Sequence, residues 1–114
     1  MKYTNTDIQN LQRETRDLSN RLEFGTLHDA FINHRLGEDR RRWIDTNDIL
    51  VKSYTEQLAD TGFSLVKTTK RPFGFLISHK DMPEATIQIY VIRRGLTLIT
   101  KLKWNIPVNI VNLG

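Results

Sequence analysis

The sequence contains no cysteine among its 114 residues. This excludes disulfide bonds, a thiolate nucleophile and every zinc site built on cysteine. Residues that break regular structure are also few, with three prolines and six glycines. Together with 39% apolar and 26% charged side chains, this composition is typical of a folded globular protein rather than a disordered one. The length predicts a single domain over residues 1–114.

Long hydrophobic runs are absent from the sequence as well. No apolar stretch approaches the roughly 18 residues that are needed to cross a bilayer. The first residues, MKYTNTDIQNLQRE, lack the apolar core of a signal peptide. We therefore expect a cytoplasmic protein that has no membrane partner.

Acidic residues are scarce in the second half of the chain. From Phe63 onward there are eight Lys and Arg but two Asp and Glu, a net charge of +6. Up to Gly62 there are nine Lys and Arg against eleven Asp and Glu, a net charge of −2. Because clustered charge of one sign attracts oppositely charged partners, an anionic partner would approach the second half. The same charge also favours solubility without any ligand, and both interpretations stay open.

The apolar residues of the first half recur with helical periodicity. The first predicted helix has a capping box at Thr6 and Gln9 and ends at Phe24 and Gly25. Its apolar stripe consists of Ile8, Leu11, Thr15, Leu18 and Leu22. This stripe could pair with a second copy of the chain, but a stripe of this length more often packs on the core of its own domain.

Two further helices are predicted before Gly62. The second begins at the cap Thr26 and stops at Gly37, and the third begins near Asp45 or Thr46 and is closed by Gly62. Their inward-facing residues are Leu27, Ala30 and Phe31 in the second helix, and Leu50, Val51, Tyr54 and Leu58 in the third.

After Gly62 the hydrophobic period changes from about 3.6 to 2. The runs FSLVKTT, FGFLISH, TIQIYVIR and LTLITKLKW are separated by the turn-like segments KRP, DMPEA and RRG, which predicts an antiparallel meander. If Arg94 and Gly95 form a two-residue loop, Ile87 opposes Leu102 and the apolar residues share one face. The other face then carries Gln88, Tyr90, Ile92, Thr97, Ile99, Lys101 and Lys103.

The last segment, NIPVNIVNLG, alternates Ile106, Val108 and Ile110 with polar residues. This pattern predicts a fifth strand, or an arm that pairs with the sheet edge of a neighbouring chain. We therefore predict an α+β fold in which three N-terminal helices, within residues 1–62, pack on an antiparallel meander sheet of four to five strands, within residues 63–114.

Motifs for catalysis are missing from the sequence. His28 and His34 are six residues apart and His79 is distant, so their spacing predicts no metal site. The chain has no GxSxG, Walker, HExxH or GxGxxG motif. We therefore expect a protein without catalytic activity, cofactor or metal.

The main candidate site is one end of the predicted sheet. In a meander of four strands the first and third turns lie at the same end, so the basic residues of both turns would meet there. The cations at this end are Lys67, Lys70, Arg71, Arg93 and Arg94. Tyr90 would offer a ring on which a base can stack. Exposed turns also carry long charged residues without binding any ligand, and that alternative stays open.

A second group of cations lies in the segment GEDRRRWIDTND. Arg40, Arg41 and Arg42 are predicted on the connection between two helices, with Trp43 packing back onto the protein. Arg42 lies four residues after Glu38, a spacing at which opposite charges on a helix attract each other. These arginines are therefore secondary candidates for contacting an anion.

The charge distribution favours a non-catalytic binding protein for an anionic partner, with nucleic acid ahead of a small phosphorylated ligand. An alternative is a protein–protein inhibitor or adaptor, such as a viral or mobile-element accessory protein that binds a host factor. It would use the first helix or residues 105–113, which could also form a homo-oligomer. An enzyme is the third possibility and would need a deep pocket lined by polar groups.

Overall fold

The computed structural model describes residues 3–36 and 40–107. Three helices come first: α1 Asn5–Arg21, α2 Gly25–Leu36 and α3 Arg40–Leu58. Four strands follow: β1 Phe63–Lys70, β2 Phe73–His79, β3 Met82–Arg94 and β4 Thr97–Asn105. The protein therefore has the predicted α+β class. None of the helices in these described ranges is long and apolar enough to pass through a membrane.

Helix α1 begins two residues before the predicted capping box. Thr4 Oγ1 accepts a hydrogen bond from the Asp7 N–H at 3.3 Å, and the Asp7 carboxylate accepts one from the Thr4 N–H at 2.8 Å. The prediction of Thr6 and Gln9 as the capping box is wrong because Asp7 supplies this reciprocal acceptor at the third helical position.

The apolar stripe of α1 packs on the core of the chain itself. Leu11, Leu18 and Leu22 are buried, and Thr15 has no exposed surface. The Thr15 hydroxyl donates to the Leu11 carbonyl at 2.6 Å, so a polar residue is satisfied within an apolar stripe. The expected core position of the stripe is confirmed.

Helix α3 begins earlier than predicted, at Arg40 instead of Asp45 or Thr46. Arginine is a good helix former, and Trp43, Thr46 and Leu50 extend the inward-facing spacing of three and four residues back to the first turn. The prediction that Val51 faces inward is wrong, because the buried face is taken by its neighbours and Val51 is 37% exposed. The predicted inward positions of Leu50, Tyr54 and Leu58 are confirmed, since all three are buried.

The four strands form an antiparallel sheet in the order β1-β2-β3-β4. This is the predicted meander, and the part of the chain that the structure describes contains four strands in it. Ile106 is half-buried and packs against the core. Val108 and Ile110, on which the predicted fifth strand depends, lie outside the described residues.

The register of β3 against β4 differs from the prediction by two residues. Ile87 pairs with Trp104 instead of Leu102, and Arg94 pairs with Thr97, so the two-residue loop is Gly95 and Leu96. Gly95 has a φ of 61°, and hairpins of type II′ place glycine at this first loop position. A shift of two residues keeps every side chain on its predicted face.

Strand β3 also begins earlier than predicted. The segment predicted as the turn DMPEA belongs to the strand from Met82 onward, and the turn consists of Lys80 and Asp81. The pairing is irregular between Ile77 and His79 of β2. Pro83, which has no N–H to donate, lies opposite this irregular region, where the ladder hydrogen bonds are interrupted.

One face of the sheet carries all three helices. Its buried residues alternate along the two central strands and include Phe73, Phe75, Ile77, Ile87, Ile89 and Val91. From α3, the Tyr54 ring stacks on Phe75 with centroids 4.3 Å apart. Helix α2 contacts the same face through the hydrogen bond of His28 to Thr100. Helix α1 does so through the guanidinium of Arg16, which lies 5.6 Å from the centre of the Trp104 ring. The opposite face is not covered by any of these helices.

Candidate functional site

The uncovered side of the sheet, which we call the open face, is built by the residues that alternate with the core. Tyr90 pairs with Lys101 and Gln88 pairs with Lys103 across β3 and β4. The open-face residues in the half of the sheet that ends at the β1–β2 and β3–β4 turns are Lys67, Thr69, Gly74, Leu76, Gln88, Tyr90, Ile92, Arg94, Thr97, Ile99, Lys101 and Lys103.

The charge of this half of the open face has one sign. In the half of the face given above the cations are Lys67, Arg94, Lys101 and Lys103, and none of the residues is acidic. Glu84 is the one acidic residue within the four strands, and its carboxylate accepts a hydrogen bond from the Tyr3 hydroxyl at 2.7 Å. The field over this half of the open face is therefore positive.

Gly74 forms the floor of the open face beside Tyr90. It pairs with Thr69 on one side and with Tyr90 on the other. A Cβ atom at this position would lie 1.9 Å from the Ile89 carbonyl oxygen, so β2 and β3 approach too closely for any side chain. Because this position is bare, Gln88 Nε2 reaches from β3 to Thr69 Oγ1 on β1 at 2.8 Å.

Tyr90 lies near the middle of this surface, on a central strand. Its side chain is partly exposed, with Lys101 directly opposite and the bare Gly74 on its other flank. A ring with an open neighbour can stack on a planar group, and an adjacent cation can contact a phosphate. The pairing of Tyr90 with Lys101 therefore suits a ligand that carries both bases and phosphates.

The two basic turns lie at the same end of the sheet, as predicted. Arg71 and Pro72 connect β1 to β2, and Gly95 and Leu96 connect β3 to β4. Since Phe73 at the start of β2 pairs with Val91 near the end of β3, both connections project from one end. We call this end of the molecule the basic end.

The strand register divides the predicted cluster of cations between the two faces. Lys67 and Arg94 belong to the open face, whereas Lys70 and Arg93 lie on the side of the helices. The Lys70 ammonium lies 4.9 Å from the centre of the Trp43 ring. Arg93 Nε donates to the Gly95 carbonyl at 2.8 Å. Lys70 and Arg93 thus already have partners within the protein.

The arginine run lies in the first turn of α3, not on the connection between two helices as predicted. The side chains of Arg40, Arg41 and Arg42 lie outside the described residues. Trp43 follows directly and contacts Lys70, so the run is located at the basic end as well. Two groups of cations that are separate in the sequence therefore share one end of the molecule.

Aromatic packing holds the first turn of α3 against the sheet. The His34 ring stacks on Phe73 at 5.4 Å and meets Trp43 edge-on at 5.2 Å. Trp43 also contacts Phe73 edge-on at 6.0 Å. The predicted inward packing of Trp43 is confirmed. This packing places the first turn of α3, which contains the arginine run, at the basic end.

Lys101 and Lys103 are the residues that sequence reasoning did not assign to the site. The alternation of these lysines with Leu102 and Trp104 already placed them on the face of Tyr90. What the pattern lacked was the information that α1, α2 and α3 all pack on the other face of the sheet.

A cavity of about 320 Å³ lies between α1 and the β2–β3 turn, away from the basic end. The buried His79 at its wall accepts the Asp81 N–H at Nδ1, at 3.1 Å, and faces Glu14 through Nε2 at 2.9 Å. Because both ring nitrogens are used, His79 presents no free lone pair to the cavity. Within residues 3–36 and 40–107, no group of three or more His, Asp or Glu side chains is placed to hold a metal ion.

Comparisons of the chain with protein-family models, with curated proteins and with solved structures found no match. The open face and the basic end are therefore the features from which a function can be inferred.

Proposed function

We propose that the protein binds single-stranded nucleic acid on the open face of its sheet and carries out no catalysis. The observation that supports this most directly is the pairing of Tyr90 with Lys101 in a half of the open face that has four cations and no acidic residue. Nucleic acid supplies both the negative charge and the planar bases that such a surface can contact.

A single strand fits this surface better than a duplex does. Proteins that bind single strands stack exposed bases on aromatic side chains and follow the backbone with cations. The bases of a duplex are stacked on each other and present only their edges. Tyr90 could therefore stack on a base of a single strand but not on one inside a duplex.

The spread of the cations argues against a small phosphorylated ligand. Lys67 lies on β1 and Lys101 on β4, which are three strand spacings apart, or roughly 14 Å. A single phosphate group could not contact both, whereas successive phosphates of a strand could. Sites for small ligands are also concave, while the open face is one side of a sheet.

The protein–protein alternative has less support from the described surface. The stripe of α1 that an adaptor would use is buried in the core of the same chain. The other proposed surface, residues 105–113, lies mostly outside the described residues. We therefore place nucleic acid first.

The test compares two double variants with the same change of charge. Lys101→Ala with Lys103→Ala removes two cations from the open face, and Lys52→Ala with Lys80→Ala removes two exposed cations from α3 and from the β2–β3 turn. Binding to a labelled single-stranded oligonucleotide is measured by fluorescence anisotropy at several salt concentrations.

We expect the open-face variant to reduce the slope of log affinity against log salt by about 1.4, since each phosphate contact on a single strand contributes about 0.7. The control variant should leave the slope close to that of the wild type. Equal slopes for the two variants, or no binding by the wild type, would contradict the proposal.

A further inference from the structure

The Leu96 side chain is almost fully exposed at the tip of the β3–β4 hairpin. It is 98% exposed, whereas the other exposed large apolar side chains among the described residues are 37–57% exposed. Gly95, with its φ of 61°, satisfies the conformational demand of the loop, so the turn does not require leucine at the next position. Because Leu96 buries almost no surface, it contributes nothing to the core either.

The tip that carries Leu96 is charged and well anchored. Arg94 pairs with Thr97 at the end of the ladder, and the Arg93 side chain bonds to the Gly95 carbonyl at 2.8 Å. The hairpin thus presents one apolar side chain next to two arginines, both at the end of β3. Such a tip is complementary to an apolar layer that is bordered by negative charge.

We propose that Leu96 is a wedge that inserts between bases where a single strand on the open face continues into a duplex. Leucine is among the apolar side chains that proteins insert between base steps, unstacking them. This inference rests on the proposed function, because it needs a strand held on the open face.

The geometry of β3 connects the wedge to the stacking residue. Tyr90 and Arg94 lie on the same face of this strand, four residues apart, which corresponds to roughly 13 Å at about 3.3 Å per residue. A strand stacked on Tyr90 therefore reaches the hairpin tip within a few nucleotides. Arg94 would contact phosphates at the point where the duplex begins.

A lipid surface is the other layer of apolar groups bordered by negative charge. One exposed leucine is a weak anchor for it, since even a single myristoyl chain gives only marginal and reversible membrane binding. A nucleic-acid strand, in contrast, would contact Leu96 through its bases and the open-face cations through its phosphates. The observations therefore favour nucleic acid.

The test uses two DNA probes that share one single-stranded segment. The first is the segment alone, and the second continues it into a hairpin duplex with 2-aminopurine in the base pair next to the junction. The variants are Leu96→Ser, which removes the apolar side chain, and Leu96→Met, which keeps an apolar side chain of similar length. The exposure of Leu96 makes both substitutions compatible with folding, which thermal unfolding verifies.

We expect the wild type and Leu96→Met to bind the junction probe on the order of tenfold more tightly than the single strand, the scale of one added base contact. They should also raise the 2-aminopurine fluorescence as the base unstacks. Leu96→Ser should lose both effects and bind the single strand within about twofold of the wild type.

Three outcomes would overturn the wedge alone, and failure of the wild type to bind the single strand would remove the proposed function with it. One is an unchanged junction preference in Leu96→Ser. Another is a wild type that binds the single strand without preferring the junction, which leaves the proposed function intact. The third is binding to vesicles of phosphatidylcholine and phosphatidylserine. If Leu96→Ser abolishes this binding and Leu96→Met keeps it, Leu96 would be assigned to a lipid surface.

Discussion

The Lys70 ammonium lies 4.9 Å from the centre of the Trp43 ring. At this distance a cation is attracted to the face of an aromatic ring, so the contact joins the β1–β2 turn to the first turn of α3. It explains why two groups of basic residues that are about thirty residues apart in the sequence belong to one end of the molecule. It also means that Lys70 has a partner in the absence of any ligand.

The two groups of cations at the basic end can be ranked as nucleic-acid contacts. We expect Arg93→Ala with Arg94→Ala to flatten the salt dependence of binding more than Arg40→Ala with Arg41→Ala. Arg94 faces the open side of the sheet, whereas Glu38 and Asp39 precede the arginine run and weaken its attraction for phosphates. Arg94 should account for most of the change, about 0.7 in the slope, because Arg93 bonds to its own turn.

Titrations of both double variants at several salt concentrations provide the measurement. A larger loss from the arginine run would place the ligand on the helix side of the basic end rather than on the open face.

Tyr90 is expected to contribute by stacking rather than by its hydroxyl. Tyr90→Ala should weaken single-strand binding by about 1–3 kcal/mol, the range for one base stacked on an aromatic side chain. Tyr90→Phe keeps the ring and should bind like the wild type. Affinities at one fixed salt concentration provide the comparison. An alanine variant with wild-type affinity and unchanged stability would show that no base stacks there.

Gly74 is expected to tolerate no side chain. In Gly74→Ala the new Cβ would lie 1.9 Å from the Ile89 carbonyl oxygen and 2.7 Å from the Tyr90 Cα, so β2 and β3 must separate. Overpacking of this kind costs about 1–3 kcal/mol of unfolding free energy. Gly25→Ala is the matched control, because a Cβ there meets no atom within 4 Å. Urea unfolding of the two variants should differ clearly, and equal midpoints would contradict the close approach of the strands.

The hydroxyl of Tyr54 connects α3 to the start of α2. It donates to the Glu23 carbonyl at 2.9 Å and accepts the Leu27 N–H at 3.1 Å, and the residue has no exposed surface. Tyr54→Phe leaves both backbone groups without this partner, which should cost about 1–3 kcal/mol. Thermal or urea unfolding measures the difference, and a variant as stable as the wild type would show that water replaces the hydroxyl.

The raised pKa of Tyr54 predicts that the stability of the protein changes at alkaline pH. The pKa of Tyr54 is raised from 10.0 to about 12, mainly by burial, while the Leu27 N–H lowers this pKa and the charge of Glu23 contributes to the rise. In the unfolded chain the phenol ionises near its ordinary pKa of about 10, while the folded protein keeps the proton. The stabilising contribution is therefore complete below pH 10 and is lost as the pH rises towards 12.

Because other groups titrate in this range, the quantity to follow is the stability difference between the wild type and Tyr54→Phe. We expect this difference to shrink between pH 10 and 12. A difference that stays constant over this interval would contradict the raised pKa.

The sequence by itself determined the order and type of the elements and the face on which most strand residues lie. The change of hydrophobic period after Gly62 separates helices from strands because each structure repeats its side-chain direction with its own period. Ile87 and Leu102 were assigned to one face correctly although their register was wrong, since a shift of two residues does not change the face.

Element boundaries depended on contacts that are distant in the sequence. Helix α3 begins at Arg40, and Trp43 in its first turn is held by His34 and Phe73, which no local pattern around the arginines indicates. The predicted turn DMPEA is mostly strand because the pairing of β3 with β2 continues past Pro83 to Met82.

Only the tertiary structure decided which cations are available to a ligand. Lys67 and Lys70 are close in the sequence, but they lie on opposite faces of β1. Lys101 and Lys103 became candidates because all three helices pack on the other face of the sheet. The alternation along a strand divides residues into two sets, whereas the choice of the set that is covered depends on how helices and sheet bury their apolar surfaces together.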